Sequence, residues 1–571
     1  MCSIGPELNK DIKKGDQMAA AHPFIYFAIK AGCLMTENTK KPSFLMNVLT
    51  IIFAQIAVKL LGFAYRMVIT NVPGFGDIGN GYYNFGYQIY TLLLAISSIG
   101  IPNAISKLVA ERCALDDYRG AMKIFKTALV LFTFVGLFFG SVMFFCADFI
   151  ADVVFDTPPT AYTIRALSPA IIFVSVSSVI RGFFAGQQNM HATNTSQVLE
   201  QFLKSVSTIL IVLAMAGAKP EYMAAGATLS TTLSTFLSCA YLFCFLGAHK
   251  KSISENIKAA PPVKIKTNAL STAKTILMVS IPISLGSIVA SLNRVIDIVT
   301  VVRGVKTALS ASFPNAAKLG EEAVRLSGIL SKTDILVNLP LALNTAFATV
   351  LVPTVAAALA LHDNETARSK VSFSMLISVV IAAPCTAGYI ALAQPILSMI
   401  YPAASDGGLI FAMVAPTVFF SALSQTMYGS LQGMGKIFTP ALSVLCGGIA
   451  KLILNLVLIP IPSINIYGAP IGSVVCQAVA FFVSFTVLRK NLKVKLDPMR
   501  YFVKPFIASA VMGVCAFGTE KLLRAFMGRA ATLGAIAVGA VVYFAMIALL
   551  RVFRREELSA IPFIGKRFKK V

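Results

Sequence analysis

The sequence predicts an all-α polytopic membrane protein of about fourteen transmembrane helices, from its composition, the spacing of its apolar stretches and the placement of its basic residues. Of 571 residues, 57% are hydrophobic and 13% charged, and mean hydropathy is +0.77. Soluble domains carry roughly 25% charged residues. A bilayer-crossing helix needs about 20 mostly apolar residues, and such windows recur from residue 45 almost to the C-terminus. An outer-membrane barrel would instead alternate polar and apolar residues over segments of roughly ten, a pattern this chain does not show.

Residues 1–44 mix charge with apolar patches too short to span, so they read as a cytoplasmic extension and not as a cleaved signal. Spans are expected at 45–70, 82–105, 121–149, 161–187, 196–217 and 223–246, making an N-terminal lobe over 45–246. A basic linker, 247–274, follows with Pro261, Pro262, Lys264 and Lys266. A second set at 275–302, 331–361, 369–393, 407–432, 438–461 and 466–488 makes a C-terminal lobe over 275–490. Two extra helices, near 501–520 and 530–552, lie within 491–553, ahead of a basic tail, 554–571.

A net charge of +24 would point to nucleic acid in a soluble protein, but here the cations cluster in alternate short loops. Lys107, Arg112, Arg119, Lys123 and Lys126 form one cluster, the linker another, and Arg489, Lys490, Lys493, Lys495 and Arg500 a third. Such loops face the cytoplasm, so both termini are expected inside a bacterial plasma membrane, with membrane lipids as partners and no nucleic acid. The stretch 303–331, read as a long loop, and the loop holding Lys521, Arg524 and Arg529 break the pattern. Ten scattered cysteines without a C-x-x-C pair, and four dispersed histidines, predict no disulfide framework, metal site or cofactor. With no Trp in the chain, Tyr82, Tyr83, Tyr87 and Tyr90 are the candidates for an interfacial aromatic belt.

An internal repeat supports the two-lobe reading. Gly182-Phe-Phe-Ala-Gly186, then Ser196 and Lys204, recurs 247 positions later as Gly429-Ser-Leu-Gln-Gly433, Ser443 and Lys451. Six helices per copy make the copies parallel, related by an axis along the membrane normal, with a path expected in a central cavity between them. Pro102 with Gly100, and Pro353, sit at corresponding places late in the second and eighth helices, where they would act as paired hinges.

Ionisable residues at mid-bilayer cost about 2.5 to 3.5 kcal/mol on insertion scales, so each needs a partner, water or an interface. Gln55, Lys59, Arg66 and Thr70 share one side of the first helix. They form either a cationic wall for an anionic substrate or helix-to-helix glue. Asn84, Gln88 and Thr91 on the second helix, and Asp334, Asn338, Thr345 and Thr349 on the eighth, face a hydrated cavity or bond to neighbouring helices. Arg294 and Asp297, three apart, form a simple ion pair or a gating or ion-coupling site, and Glu200 with Lys204 forms an ordinary i,i+4 pair. Arg181 and Lys451 fall near cytoplasmic helix ends, where headgroup contact is the default.

The runs Lys59 to Arg66, Gly79 to Tyr90, Ser97 to Glu111, Arg181 to Asn189, Leu431 to Lys436 and Leu456 to Gly472 resemble the stage V sporulation protein B group of polysaccharide exporters. That group lies in the multidrug/oligosaccharidyl-lipid/polysaccharide exporter superfamily and is similar to the lipid II flippase. The resemblance covers about residues 45–490. It implies two six-helix lobes around a central cavity, a lipid-tail groove made partly by the last two helices, and alternating access that moves an undecaprenyl-pyrophosphate-linked sugar between leaflets. It also implies a pyrophosphate held by cations of the first lobe, for which Arg66 is the closest match and Lys59 a second. Asn293-Arg294 ahead of Asp297 departs from the family pattern, and 1–44 lies outside it.

The expected substrate-binding residues are Lys59, Arg66, Asn84, Gln88, Arg181 and Arg294, and the ion-coupling or gating residues Asp297 and Asp334. The expected activity is export of a peptidoglycan, spore-cortex or other polysaccharide precursor by a monomer, with a proton or sodium ion as coupling cation, and without enzymatic chemistry. A cation-coupled multidrug antiporter is the alternative. A membrane glycosyltransferase would need a large loop with paired carboxylates, and among the longest loops only Glu321-Glu322 offers such a pair.

Overall fold

The computed structural model describes residues 44–259, 268–313, 315–494 and 497–553. The expected extension up to residue 43, Pro261 to Lys266 of the linker, the tail 554–571 and the Gln55 side chain lie outside the described residues. The chain divides into two compact units, Met1–Phe53 and Ala54–Val571, and the candidate site lies wholly within the second.

Fourteen long helices are present among the described residues. The first six are α1 (Phe44–Thr70), α2 (Gly76–Cys113), α3 (Tyr118–Phe145), α4 (Thr160–Gly186), α5 (His191–Ala214) and α6 (Pro220–Ala248). The next six are α7 (Ala269–Leu309), α8 (Ala316–Ala360), α9 (Asn364–Ala391), α10 (Gly408–Gly433), α11 (Phe438–Leu458) and α12 (Gly468–Leu492). The apolar stretch Met499–Leu549 folds back at Gly528, whose φ of 56° suits glycine, into α13 (Lys504–Met527) and α14 (Ala531–Leu549). Large apolar side chains such as Phe134, Phe138, Val514 and Val541 remain exposed, as a lipid-facing surface requires. The protein is a multi-pass α-helical membrane protein.

The stretch 303–331, expected as a loop, is mostly helix. α7 runs to Leu309 and α8 starts at Ala316. Arg325 bonds Glu322 one turn earlier through Nε and Nη2, both at 2.8 Å, and Asn315 caps the start by accepting from Ala317 N at 2.9 Å. A polar sequence stays helical when its side chains satisfy one another at i,i+3 and its first N–H groups are capped.

The glycines of the repeated motif make the same contact twice. A Cβ on Gly182 or Gly186 would lie 2.9 Å from Pro102 O or 2.8 Å from Ser106 O of α2, and one on Gly433 would lie 2.6 Å from Val352 O of α8. A Cβ on Gly429 would lie closer still, to Ala348 O. Each fourth helix therefore presses its backbone onto the late part of the second helix of its own set. The turns before α3 and α9 also match: Asp116 and His362 take φ of 54° and 57°. The next residues, Asp117 and Asp363, cap the helices by accepting from Gly120 N at 2.8 Å and Thr366 N at 2.9 Å. The Thr366 bond holds the Asp363 carboxyl below its usual range.

Within the first set α4 packs on α2, α3 and α6; within the second, α10 packs on α8, α9 and α12. α13 lies on α9, with α14 beside it. The two sets meet chiefly where α2 faces α8 and α7. α2 is interrupted there by a π-helical turn, Ala95–Ile99, and restarts at Ile101 with Pro102 in its first turn, where the missing N–H is harmless. Pro340 and Pro353, by contrast, lie inside an unbroken α8.

At the α1–α2 turn end the seam is tight. Lys332 of α8, 0% exposed, bonds Asp77 Oδ1 of α2 at 2.7 Å and Ala404 O at 2.5 Å, and Gly328 leaves no room for a Cβ against Asp77 O. Losing one member of a buried pair costs about 3 to 5 kcal/mol, whereas an apolar replacement of both is often neutral. Lys332→Ala and Asp77→Ala are each expected to lower the melting temperature of purified protein by several degrees, with Asp77→Leu/Lys332→Met regaining most of the loss; equal melting of all four would show that the pair bears no load.

Candidate substrate cavity

Beyond that seam, α2, α7 and α8 enclose a cavity of about 50 Å³ lined by Asn84, Gln88, Arg294, Asp297 and Asp334, all singled out from sequence, together with Ser327 and Ser331. Asn84 and Gln88 lie one helical turn apart, so their amides meet: Gln88 Nε2 donates to Asn84 Oδ1 at 3.0 Å. That bond turns Gln88 Oε1 towards Arg294, whose Nε donates to it at 3.0 Å, while Arg294 Nη2 donates to Ser291 Oγ at 2.9 Å. Arg294 is thereby aimed from α7 across the seam. Neither Arg294 nor Asp334 has an ion-pair partner among the described residues. Past Asp334, the polar stripe of α8 at Asn338, Thr345 and Thr349 stays exposed.

Two local pairings expected from sequence, Arg294 with Asp297 and Glu200 with Lys204, give way to tertiary ones. Asp297 is bound by Lys451 of α11 and not by Arg294. Asn455 Nδ2 adds bonds to Asp297 Oδ1 at 3.3 Å and Thr300 Oγ1 at 2.9 Å. Lys451 is buried, so the expected headgroup contact does not form. Glu200 accepts from Arg181 Nη2 at 2.7 Å, and Arg181 also donates to Ser196 Oγ at 2.9 Å and Ser238 Oγ at 3.0 Å. Arg181 is thus buried within α4, α5 and α6, away from the cavity lining. Ion pairs along one helix contribute only about 0.2 to 0.5 kcal/mol, so a buried partner on a neighbouring helix outcompetes them.

The tyrosines expected at the interface point inward instead. Tyr82, Tyr83 and Tyr90 are 6%, 0% and 3% exposed, and Tyr83 stacks on Tyr87 at 5.7 Å between centroids. Arg66 lies buried against this column, its guanidinium 3.8 Å over the Tyr83 ring. Its Nη1 donates to Asn80 Oδ1 at 3.0 Å, and Asn80 Nδ2 donates to Thr70 Oγ1 at 2.8 Å. Lys59, about two turns earlier, is exposed. Lys204, released from Glu200, lies 4.4 Å from the Tyr87 centroid and donates to its hydroxyl at 3.3 Å.

Asp77 and Lys332 are the polar residues that sequence reasoning missed, and Lys204, expected only as the partner of Glu200, joins Tyr87 instead. A lysine two positions before Asp334 in an apolar helix was the available signal for Lys332. Tyrosines spaced i, i+4 on the helix that also carries Asn84 and Gln88 were the signal for the inward column.

With this geometry in place, comparison with known proteins is informative. The model of the family described as "Polysaccharide biosynthesis protein" matches residues 44–359. Stage V sporulation protein B of Bacillus subtilis (strain 168) is 26% identical over 535 residues, covering 92% of this chain and 99% of that protein. Lipid II flippase MurJ of the same organism is 24% identical over 493 residues, covering 82% and 87%. Among solved structures, lipid II flippase MurJ in an inward closed conformation superposes with a TM-score of 0.63 at 13% identity, covering 88% of this chain and 97% of that one. An inward-facing multidrug resistance MATE family transporter of the MOP superfamily gives 0.62 at 15% identity, covering 77% and 98%. The fold is that shared by these transporters, and the chain belongs to the polysaccharide biosynthesis protein family.

Proposed function

We propose that the protein is an alternating-access flippase that carries a lipid-linked oligosaccharide, joined through a pyrophosphate to a polyprenyl chain, across the bacterial plasma membrane. The observation that carries the reading is Arg294: a guanidinium fixed by Gln88 and Ser291 at the edge of the cavity between α2, α7 and α8, with no carboxylate partner among the described residues. A pyrophosphate needs counter-charge to enter a path of low dielectric, and an arginine already oriented by its hydrogen bonds supplies it. One relative is named a lipid II flippase, which supports this cargo class. Positive loops support a reading with both termini in the cytoplasm, on which the Asp77–Lys332 seam is the outer closure and the exposed α8 stripe the inner approach. The two repeat-related sets serve as N-terminal (45–246) and C-terminal (275–490) lobes, acting as a monomer, with α13 and α14 flanking the path of the lipid tail.

Substrate contact is assigned to Arg294, Asn84, Gln88 and Arg66, with Lys59 on the exposed approach. Arg181 is assigned to the scaffold because its donors are engaged by Glu200, Ser196 and Ser238. Asp334, in the cavity without an ion pair, is the coupling carboxylate. Asp297, committed to Lys451, holds α7 to α11. Group transfer has no part in this scheme.

In cells depleted of the protein and complemented with variants, Arg294→Ala is expected to cut the outer-leaflet appearance of labelled lipid-linked precursor about tenfold or more, the worth of a lost charge-assisted bond. Drug resistance should not change; loss of resistance with normal flipping would favour the antiporter instead. In proteoliposomes, Asp334→Asn is expected to remove the response of flipping to an imposed proton or sodium gradient while precursor binding stays within about twofold of wild type, the scatter of surface-neutral changes. An unchanged gradient response would exclude Asp334 from coupling.

A further inference from the structure

Lys204 and Lys451 occupy the same position of the internal repeat, on the fifth helix of each set. Both are buried, at 6% exposure each, but their surroundings differ. Lys451 has the carboxylate of Asp297. Lys204 has no carboxylate partner among the described residues; its ammonium is enclosed by Tyr87, whose hydroxyl accepts at 3.3 Å and whose ring centroid is 4.4 Å away, and by the Tyr65 ring at 5.8 Å. The nearest acid on its own helix, Glu200, is taken by Arg181. Arg66 adds a second buried cation over Tyr83, also without a carboxylate partner among the described residues. The Tyr65 and Tyr83 hydroxyls, 3.2 Å apart, join the two cations' surroundings into one cluster.

A ring face and one long hydroxyl bond offset only part of the desolvation of an ammonium. The cluster therefore carries two positive charges and three phenols where the equivalent lysine of the other half has its negative charge built in. Tyr87 is only partly buried and lies on α2 one residue before Gln88, which lines the cavity. It also lies within electrostatic reach of Arg294. Tyr87 thus links the surroundings of Arg294 to those of Lys204.

The geometry points to Lys204 as a second phosphate contact, reached when the Tyr87 side chain turns aside, so that the site selects a polyprenyl diphosphate over a monophosphate. The inference rests on the flippase reading and deepens it. The first phosphate meets Arg294, and the second takes the place that Asp297 fills beside Lys451. Lys204 donates a charge-assisted hydrogen bond that a monophosphate engaged at Arg294 does not reach. No covalent step is involved.

The test is equilibrium binding of radiolabelled polyprenyl diphosphate and polyprenyl monophosphate to the purified full chain in nanodiscs of neutral lipid. Wild type is expected to favour the diphosphate about tenfold or more. Lys204→Gln should lose that factor for the diphosphate, leave the monophosphate unchanged, and bring the ratio close to one, while Lys204→Arg keeps the preference. Tyr87→Phe, which keeps the ring and removes the hydroxyl acceptor, should tighten diphosphate binding a few-fold, the direction opposite to a merely structural loss. A folded Lys204→Gln protein that still discriminates overturns the inference and leaves the flippase reading intact, as does equal weakening for both ligands. Wild-type protein that binds neither lipid overturns both.

Discussion

A charge that leaves water for the interior of a bundle has to find its partner in three dimensions, and the arrangement of this protein follows from how its few buried charges do so. Each such group costs several kcal/mol unless paired, far more than any preference along a single helix provides. Asp77 reaches across to Lys332, Asp297 to Lys451, and Glu200 to Arg181. The first two links join helices far apart in sequence and the third joins consecutive ones, so the charges fix which helices are neighbours as much as the apolar packing does. What is left over is informative. Arg294, Arg66 and Lys204 end without carboxylates among the described residues, and these three sit on or next to the α2 face that meets the cavity.

The apolar contacts are permissive by comparison. In lipid there is little hydrophobic gain in bringing two helices together, so close approach depends on small residues. The glycine pairs of α4 and α10 supply it in both halves, and Gly328 supplies it at the seam. The seam consequently combines a backbone contact that tolerates no added methyl group with an ion pair that tolerates no unpaired member. Closure of that end is specific to one register of α2 against α8.

Much of the architecture was legible in the sequence, because hydropathy windows and basic loops report directly on the bilayer. The spans, the additional pair α13 and α14, and the repeated glycine motif fall where those signals place them. The start of α8 did not, because Glu321, Glu322 and Arg325 read as a polar loop when the i,i+3 bond that keeps them helical is invisible in composition. Of the candidate site, the cavity-lining residues Asn84, Gln88, Arg294, Asp297 and Asp334 were found by asking which polar groups lie inside apolar helices. Their partners were not, since periodicity on one helix says which face a residue occupies but not which helix meets that face. The tyrosines of α2 show the same limit: amphipathic rings suit a membrane interface and a cation-lined interior equally well, and only the position of Arg66 and Lys204 decides between them.

The π-helical turn at Ala95–Ile99 gives the two halves unequal mechanical properties. A widened turn has weaker intrahelical restraint than the turns on either side, and it is followed by Gly100 and Pro102, so α2 contains a soft joint about two-thirds of the way along. α8, its counterpart, runs through two prolines without losing its helical course. When the bundle changes shape, compliance is concentrated in the first half and α8 serves as the stiff member against which it bends. Motion of a symmetric architecture is in this way made asymmetric by five residues.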